Sequence, residues 1–293
     1  MTCLERLHPI AAFCYLAVMT VLAMLTMHPV TVLVCYLSGV LLCGWLIGLR
    51  RLLVSLAYSL PMMLLLALTN PLFVHKGKTV LFLFNGAPYT LEALLYGLAS
   101  ATMLASVFYW CRCYSEIITA DKLIYLFGRV VPRLSLVLSM TLALLPKMKR
   151  RLREIDEAQK TLGVYAAGGY RNRIKSKLRV LSVLLSVSLE DAMDTANSMR
   201  ARGYGLRGRT CYTTYRFTGA DACFLTVTLL LGGVGIGLVV SGAADFGYYP
   251  TVSAIRVDGL SVLLYGAVTP LACMAILMEG REAIRWRWWR SKI

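Results

Sequence analysis

The sequence predicts an all-α, polytopic membrane protein with about six transmembrane helices and long amphipathic helices on the cytoplasmic side. Three observations predict it. The chain is 58% hydrophobic with a mean hydropathy of +0.66, and 16% of its residues are charged, where a soluble domain carries about a quarter. Six apolar runs approach the ~20 residues that a helix needs to cross a bilayer core. Between the fourth and fifth runs, residues 112–220 hold 20 Lys and Arg against 8 Asp and Glu, so most of the net charge of +16 sits in one segment. Three sections follow: 1–113 with helices 1–4, a basic amphipathic module over 114–219, and 220–293 with helices 5–6 and a basic tail.

The six runs are 10–27, 30–49, 53–74, 91–111, 221–242 and 257–278. The first, in MTCLERLHPIAAFCYLAVMTVLAML, exceeds a signal-peptide core and has no small-residue cleavage site after it, so it reads as a retained helix. Pro29 separates the first two runs and Arg50-Arg51 the next two. The third contains Pro61 and ends in the polar turn TNPLFVHKGKT (69–79). Asp258 and Gly259 open the last, and the tail RWRWWRSK (285–292) sets tryptophans where a membrane interface favours them.

Charge fixes the expected orientation. With a cytoplasmic amino terminus, all of the 31 Lys and Arg except Lys76, Lys78 and Arg256 fall inside, as the positive-inside rule requires. Both termini and the basic module are therefore expected in the cytoplasm. The same rule accounts for the positive charge without nucleic acid, which is not expected as a partner.

Within the basic module, residues 134–160 (LSLVLSMTLALLPKMKRRLREIDEAQK) pass from apolar to densely charged. Arg150–Glu154 and Arg153–Glu157 are spaced as helix-surface pairs. After the glycine-rich stretch GVYAAGGYRNR (163–173) comes a second helical pattern. Leu181, Leu185, Ala192, Ala196 and Met199 recur at helical steps, with Leu184 and Met193 beside them and Ser182, Ser186, Asp191, Asp194 and Ser198 between. It should stop near Gly203, a residue suited to the left-handed position after a helix. Such apolar faces need a partner: the bundle, each other or another subunit.

Several chemistries are missing. Glu92, Asp221 and Glu279 lie near span ends and no ionisable residue lies mid-span, which disfavours a self-sufficient ion-coupled transporter. Gly77-Lys78-Thr79 resembles the end of a phosphate loop, but position 72, where that loop needs glycine, is Leu. GGVGIG (232–237) lies inside a span and serves close helix packing. Cys14, Cys35, Cys43, Cys223 and Cys273 fall in apolar runs as small hydrophobes. Cys111 and Cys113 lack metal-site spacing. His8, His28 and His75 are scattered, and no hydrolase or zinc-protease motif occurs. Neither catalysis, a metal nor a cofactor is expected, so a lipid-acting enzyme has no support.

The stretch SMRARGYGLRGRT (198–210) places Arg200, Arg202, Arg207 and Arg209 at the end of the second helix, and AQKTLG (158–163) ends the first. Together with TNPLF (69–73), YTLEALLYGL (89–98) and LALLPKMKRRLREIDEAQ (142–159), they resemble the T component of energy-coupling factor transporters, the CbiQ-like family. The resemblance spans most of the chain, most closely from about 69 to 210. It implies a non-catalytic scaffold in a bacterial or archaeal cell membrane, part of an importer for a vitamin or transition-metal ion. The implied partners are two ABC-type ATPases, which hydrolyse the ATP, and a small membrane S component, which selects the substrate. In the family, two coupling helices each end in an Ala-Arg-Gly motif that docks in an ATPase groove. On this chain the second motif is intact as Ala201, Arg202 and Gly203, beside Arg200. The first is replaced by Thr161, Leu162 and Gly163, after Ala158 and Gln159. The expectation is an asymmetric pair of dockings, with Arg202 a charged anchor and Leu162 an apolar one.

Overall fold

The computed structural model describes residues 3–74, 77–84, 87–163, 170–204, 215–250, 252–253 and 258–290. His75, Lys76, Arg207, Arg209 and Arg256 lie outside these residues. The elements in chain order are α1 (Cys3–Arg6), α2 (Pro9–Leu25), α3 (Pro29–Ile47), α4 (Leu49–Phe73), β1 (Val80–Phe84), β2 (Ala87–Thr90), α5 (Leu91–Ile117), α6 (Ala120–Val130), α7 (Pro132–Thr161), α8 (Tyr170–Ala201), α9 (Gly219–Val240) and α10 (Gly259–Arg290). They form two compact units, one of residues up to 123 and from 215 onward, the other of residues 124–214.

All six apolar runs are helical in the first unit. Five of these helices are long and apolar enough to cross a membrane; the sixth, α2, has 17 residues, the lower end of the spanning range. Its burial explains its composition. Ala11, Ala12, Tyr15, Leu16, Met19 and Leu22 are all inaccessible, because α2 packs against α3, α5 and α9. A helix packed on several neighbours, with only Val21, Met24 and Leu25 exposed, is apolar nearly all round. Two polar groups that enter this core find partners: Tyr15 Oη donates to the Leu271 carbonyl at 3.2 Å, and Trp110 Nε1 to the Cys35 carbonyl at 3.0 Å. By contrast, α4 lies at the edge, packed on α5 and α3, with most of its apolar surface exposed.

One end of this bundle gathers polar ties. The Leu4 amide donates to Glu279 Oε1 at 2.9 Å, Arg6 pairs with Glu282 at 3.1 Å, and the His8 amide donates to Asp221 Oδ1 at 3.0 Å. Asp221 also closes a capping box with Thr218 at the start of α9, satisfying amides that a helix start leaves unpaired. Lys122 Nζ, almost fully buried, donates to the carbonyls of Glu5 and Ile117 at 2.8 and 3.0 Å. The chain's start, the end of α5, the start of α9 and the latter half of α10 thus share one end. The span-end carboxylates are structural fasteners.

Three elements were not anticipated: α1, α6 and the antiparallel β1–β2 hairpin, whose register pairs Val80 with Thr90 and Phe84 with Ala87. The residues resembling a phosphate-loop end lead into this hairpin. The amides of Lys78 and Thr79 donate to Glu92 Oε1 at 3.3 and 3.2 Å. Those amides hold an anion, but it is the chain's own carboxylate in the first turn of α5.

Candidate functional site

The second unit carries α7 and α8, and both candidate tips lie on it. Pro132 starts α7 at its first position, where the missing amide costs nothing. A second proline, Pro146, lies mid-helix. Of the two expected surface pairs, Arg150–Glu154 closes at 3.3 Å. Arg153 and Glu157 form no ion pair among the described residues; one turn on, Lys160 pairs with Asp156 at 2.7 Å.

Both helices stop in the same way. At the end of α8, the Gly203 amide donates to the Arg200 carbonyl at 3.0 Å and the Tyr204 amide to the Met199 carbonyl at 2.9 Å. Gly203 has φ 77°. This is a Schellman cap, whose left-handed residue is most readily glycine. At the end of α7, the Gly163 amide donates to the Lys160 carbonyl at 3.0 Å, the Leu162 amide to the Ala158 carbonyl at 3.1 Å, and Gly163 has φ 71°. Leu162 and Arg202 therefore hold equivalent places, each the last residue before the left-handed glycine. Leu162 is 74% exposed, and Ala201, Arg202 and Ala158 are also exposed. The Thr161 hydroxyl folds back on the Ala158 carbonyl at 2.8 Å, and Gln159 Oε1 is enclosed with no described donor. No described hydrogen bond or ion pair joins the two tips.

The two helices meet through Asp191, which sequence periodicity assigns to the polar side of α8. Its carboxylate takes a two-pronged contact from the Arg151 guanidinium, with Nη2 to Oδ1 at 3.2 Å, and a third contact from Lys147 Nζ at 3.0 Å. One turn earlier on α8, Ser188 Oγ lies 3.1 Å from Met148 Sδ. Arg151 and Lys147 hold the Asp191 carboxyl below its ordinary pKa of 3.8, because opposite charge favours the ionised form. A polar recess of about 300 Å³ runs from Lys147 and Asp191 past Asp194 and Ser198 to Arg202, so crossing and tip share one surface. The signal in the sequence was the Lys147–Arg151 spacing of four, which stacks two cations on one helix face.

Large apolar residues of both helices are exposed. Leu134, Val137 and Leu145 of α7 are exposed, as are Leu181, Leu185, Leu189 and Met193 of α8. The apolar period of α8 leaves Leu181, Leu185 and Met193 exposed.

Comparison with known proteins accords with this arrangement. Residues 2–212 match the family model CbiQ, described as cobalt transport protein. The chain is 30% identical over 188 residues to the energy-coupling factor transporter transmembrane protein EcfT of Listeria innocua, covering 59% of this chain and 69% of that one. It is 32% identical over 115 residues to EcfT of Lactobacillus helveticus (39% and 42%) and 26% identical over 191 residues to EcfT of Staphylococcus aureus (61% and 71%). A multi-pass apolar bundle, two long capped helices and a family match over more than two thirds of its length place this chain in the CbiQ family, as a transmembrane T component of the energy-coupling factor type.

Proposed function

We propose that this chain is the coupling scaffold of an ABC-type importer for a vitamin or a transition-metal ion. The tips of α7 and α8 dock into two cytoplasmic ATPases, and the uncovered apolar faces hold a small membrane S component that selects the substrate. The chain catalyses nothing itself; its partners hydrolyse ATP. The basic module and both termini face the cytoplasm.

One observation supports this reading above the others: α7 and α8 end in the same glycine cap and present Leu162 and Arg202 at equivalent exposed places. A planar guanidinium offers several donors to acidic groups, and an exposed leucine offers apolar area. Two similar ends bearing different chemistry suit two related but unequal grooves. Movement of the grooves carries through packed helices to the faces that hold the S component, as coupling between sites requires.

The test is copurification of the intact complex. The tagged chain should retain two ATPase subunits and a small apolar membrane protein. Arg202→Glu and Leu162→Glu should each release ATPase while the chain stays folded in the membrane. Full retention by both variants would sink the proposal.

A further inference from the structure

The edge of the first unit holds a groove that the coupling role leaves unused. It lies between the antiparallel helices α4 and α5 and encloses about 650 Å³, within the ~300–1,000 Å³ range of ligand sites. Its walls are apolar over most of their length, formed by Val54, Met62, Leu66, Leu104 and Phe108. Its mouth is different. Arg50 and Arg51 enter from the first turn of α4, and Arg112 from the end of α5.

The three arginines share one end because the helices run in opposite directions. Arg112 Nη1 donates to the buried Ser55 Oγ at 2.9 Å, and one turn deeper Ser59 Oγ meets Tyr109 Oη at 2.8 Å. The Ser55 bond leaves other guanidinium donors of Arg112 directed elsewhere. Among the described residues, no carboxylate forms an ion pair with Arg50, Arg51 or Arg112. Three cations with no ion-pair partner among the described residues, at the mouth of an apolar cleft, call for an amphiphile with an anionic head. From Arg51 to Leu66 the groove runs about 22 Å along α4, more than the ~15 Å of hydrocarbon in one leaflet. A basic pocket between transmembrane helices is a recognised setting for anionic lipid headgroups, and arginine matches phosphate oxygens in a forked geometry.

We propose that this groove is a binding site for an anionic phospholipid. The phosphate sits on Arg50, Arg51 and Arg112, and an acyl chain lies along Val54, Met62, Leu104 and Phe108. In the orientation proposed above, the lipid belongs to the cytoplasmic leaflet. It fastens the edge helix α4, which packs on α5, α3 and β2.

The experiment uses the full-length chain in nanodiscs of phosphatidylcholine containing a minor share of phosphatidylglycerol, with retained lipid counted by native mass spectrometry after release. Phosphatidylglycerol should be retained on the order of tenfold over phosphatidylcholine. The double variant Arg50→Gln/Arg51→Gln should lose most of that preference while its helical content stays that of the parent chain. Leu104→Trp, which narrows the apolar part and leaves the arginines in place, should lower retention of both lipids. Equal retention of the two lipids, an unchanged preference in the double variant, or no effect of Leu104→Trp overturns the proposal. Displacement by inorganic phosphate would mark a simple anion site and overturn the lipid assignment. A groove filled by a membrane-protein partner in the assembled complex, with lipid held only by the isolated chain, overturns it as well.

Discussion

Arg151 of α7 and Asp191 of α8 grip each other at the helix crossing, and each stands ten residues before its own tip, at Thr161 and Ala201. At 1.5 Å per residue the arms beyond the grip are each about 15 Å long. Equal arms about a charged hinge point give a mechanical consequence. Asp191→Asn keeps the side chain's shape and removes its charge, so the arms should lose their fixed relation while each cap survives. Spin labels at residues 161 and 201 should report a broadened distance distribution. ATPase retention should persist, whereas substrate uptake falls by roughly two- to thirtyfold, the span that coupling changes of this kind cover. Unchanged label distances would show that apolar contact alone sets the crossing.

The same carboxylate sets a pH limit. Arg151 first, then Lys147, hold its pKa below the ordinary 3.8. A depressed carboxyl pKa contributes stability that is complete above the unfolded value and disappears as pH falls through the folded one. The crossing should therefore be insensitive to pH from 7 down to about 5, and should loosen only below about 4. A pH series of the same label distances checks this. Loosening between pH 6 and 7 would assign control to a different group.

Leu162 and Arg202 should differ in their response to salt. Ion pairing by Arg202 at an exposed end is screened as the Debye length falls from ~10 Å at 0.1 M to ~3 Å at 1 M. Apolar docking by Leu162 has no such dependence. Leu162→Ala should weaken ATPase binding by about 1.5–3 kcal/mol if the side chain is fully covered, at low and high salt alike. Arg202→Ala should weaken it mainly at low salt, with its effect fading towards 1 M. Titrating complex dissociation against salt for both variants separates the two. Parallel salt curves would mean the tips dock alike.

How much of this was legible in the sequence differs by element. Six apolar runs and the two amphipathic patterns could be read because bilayer length and helical period act on local sequence. Gly203 could be read as a stop because few residues adopt a positive φ. The hairpin did leave a signal, the apolar run Val80–Phe84 followed by Asn85-Gly86, but in a short connection between two spans it is easily passed over, and the Glu92 carboxylate that its approach amides hold lies on the next helix. Asp191 was visible but assigned to the solvent side, because periodicity treats an acid as exposed unless a cation on another helix is known to face it. The groove mouth was equally hidden. Arg50 and Arg51 read as topology markers, and only the antiparallel packing of α4 on α5 brings Arg112, some sixty positions later, beside them.

That packing depends on one close approach. Gly97 of α5 lies against α4 so tightly that an added Cβ would stand 2.7 Å from the Ala67 carbonyl oxygen and 3.0 Å from Asn70 Cβ. Asn70 Nδ2 bridges the same contact, donating to the Ala93 carbonyl at 2.7 Å. In lipid, helices associate through such small-residue contacts and interhelical hydrogen bonds. Gly97→Ala places a methyl against backbone, which cannot rotate aside, so α4 must shift. Overpacking of this kind costs about 1–3 kcal/mol. The variant should melt at lower temperature in detergent. It should also lose the phosphatidylglycerol preference of the α4–α5 groove, because displacing α4 moves Arg50 and Arg51 relative to Arg112. Asn70→Ala removes the bridging bond without the clash and should lower the melting temperature less. If Gly97→Ala melts like the parent chain, α4 is free to ride outward, and the tight contact is not what holds the edge helix in place.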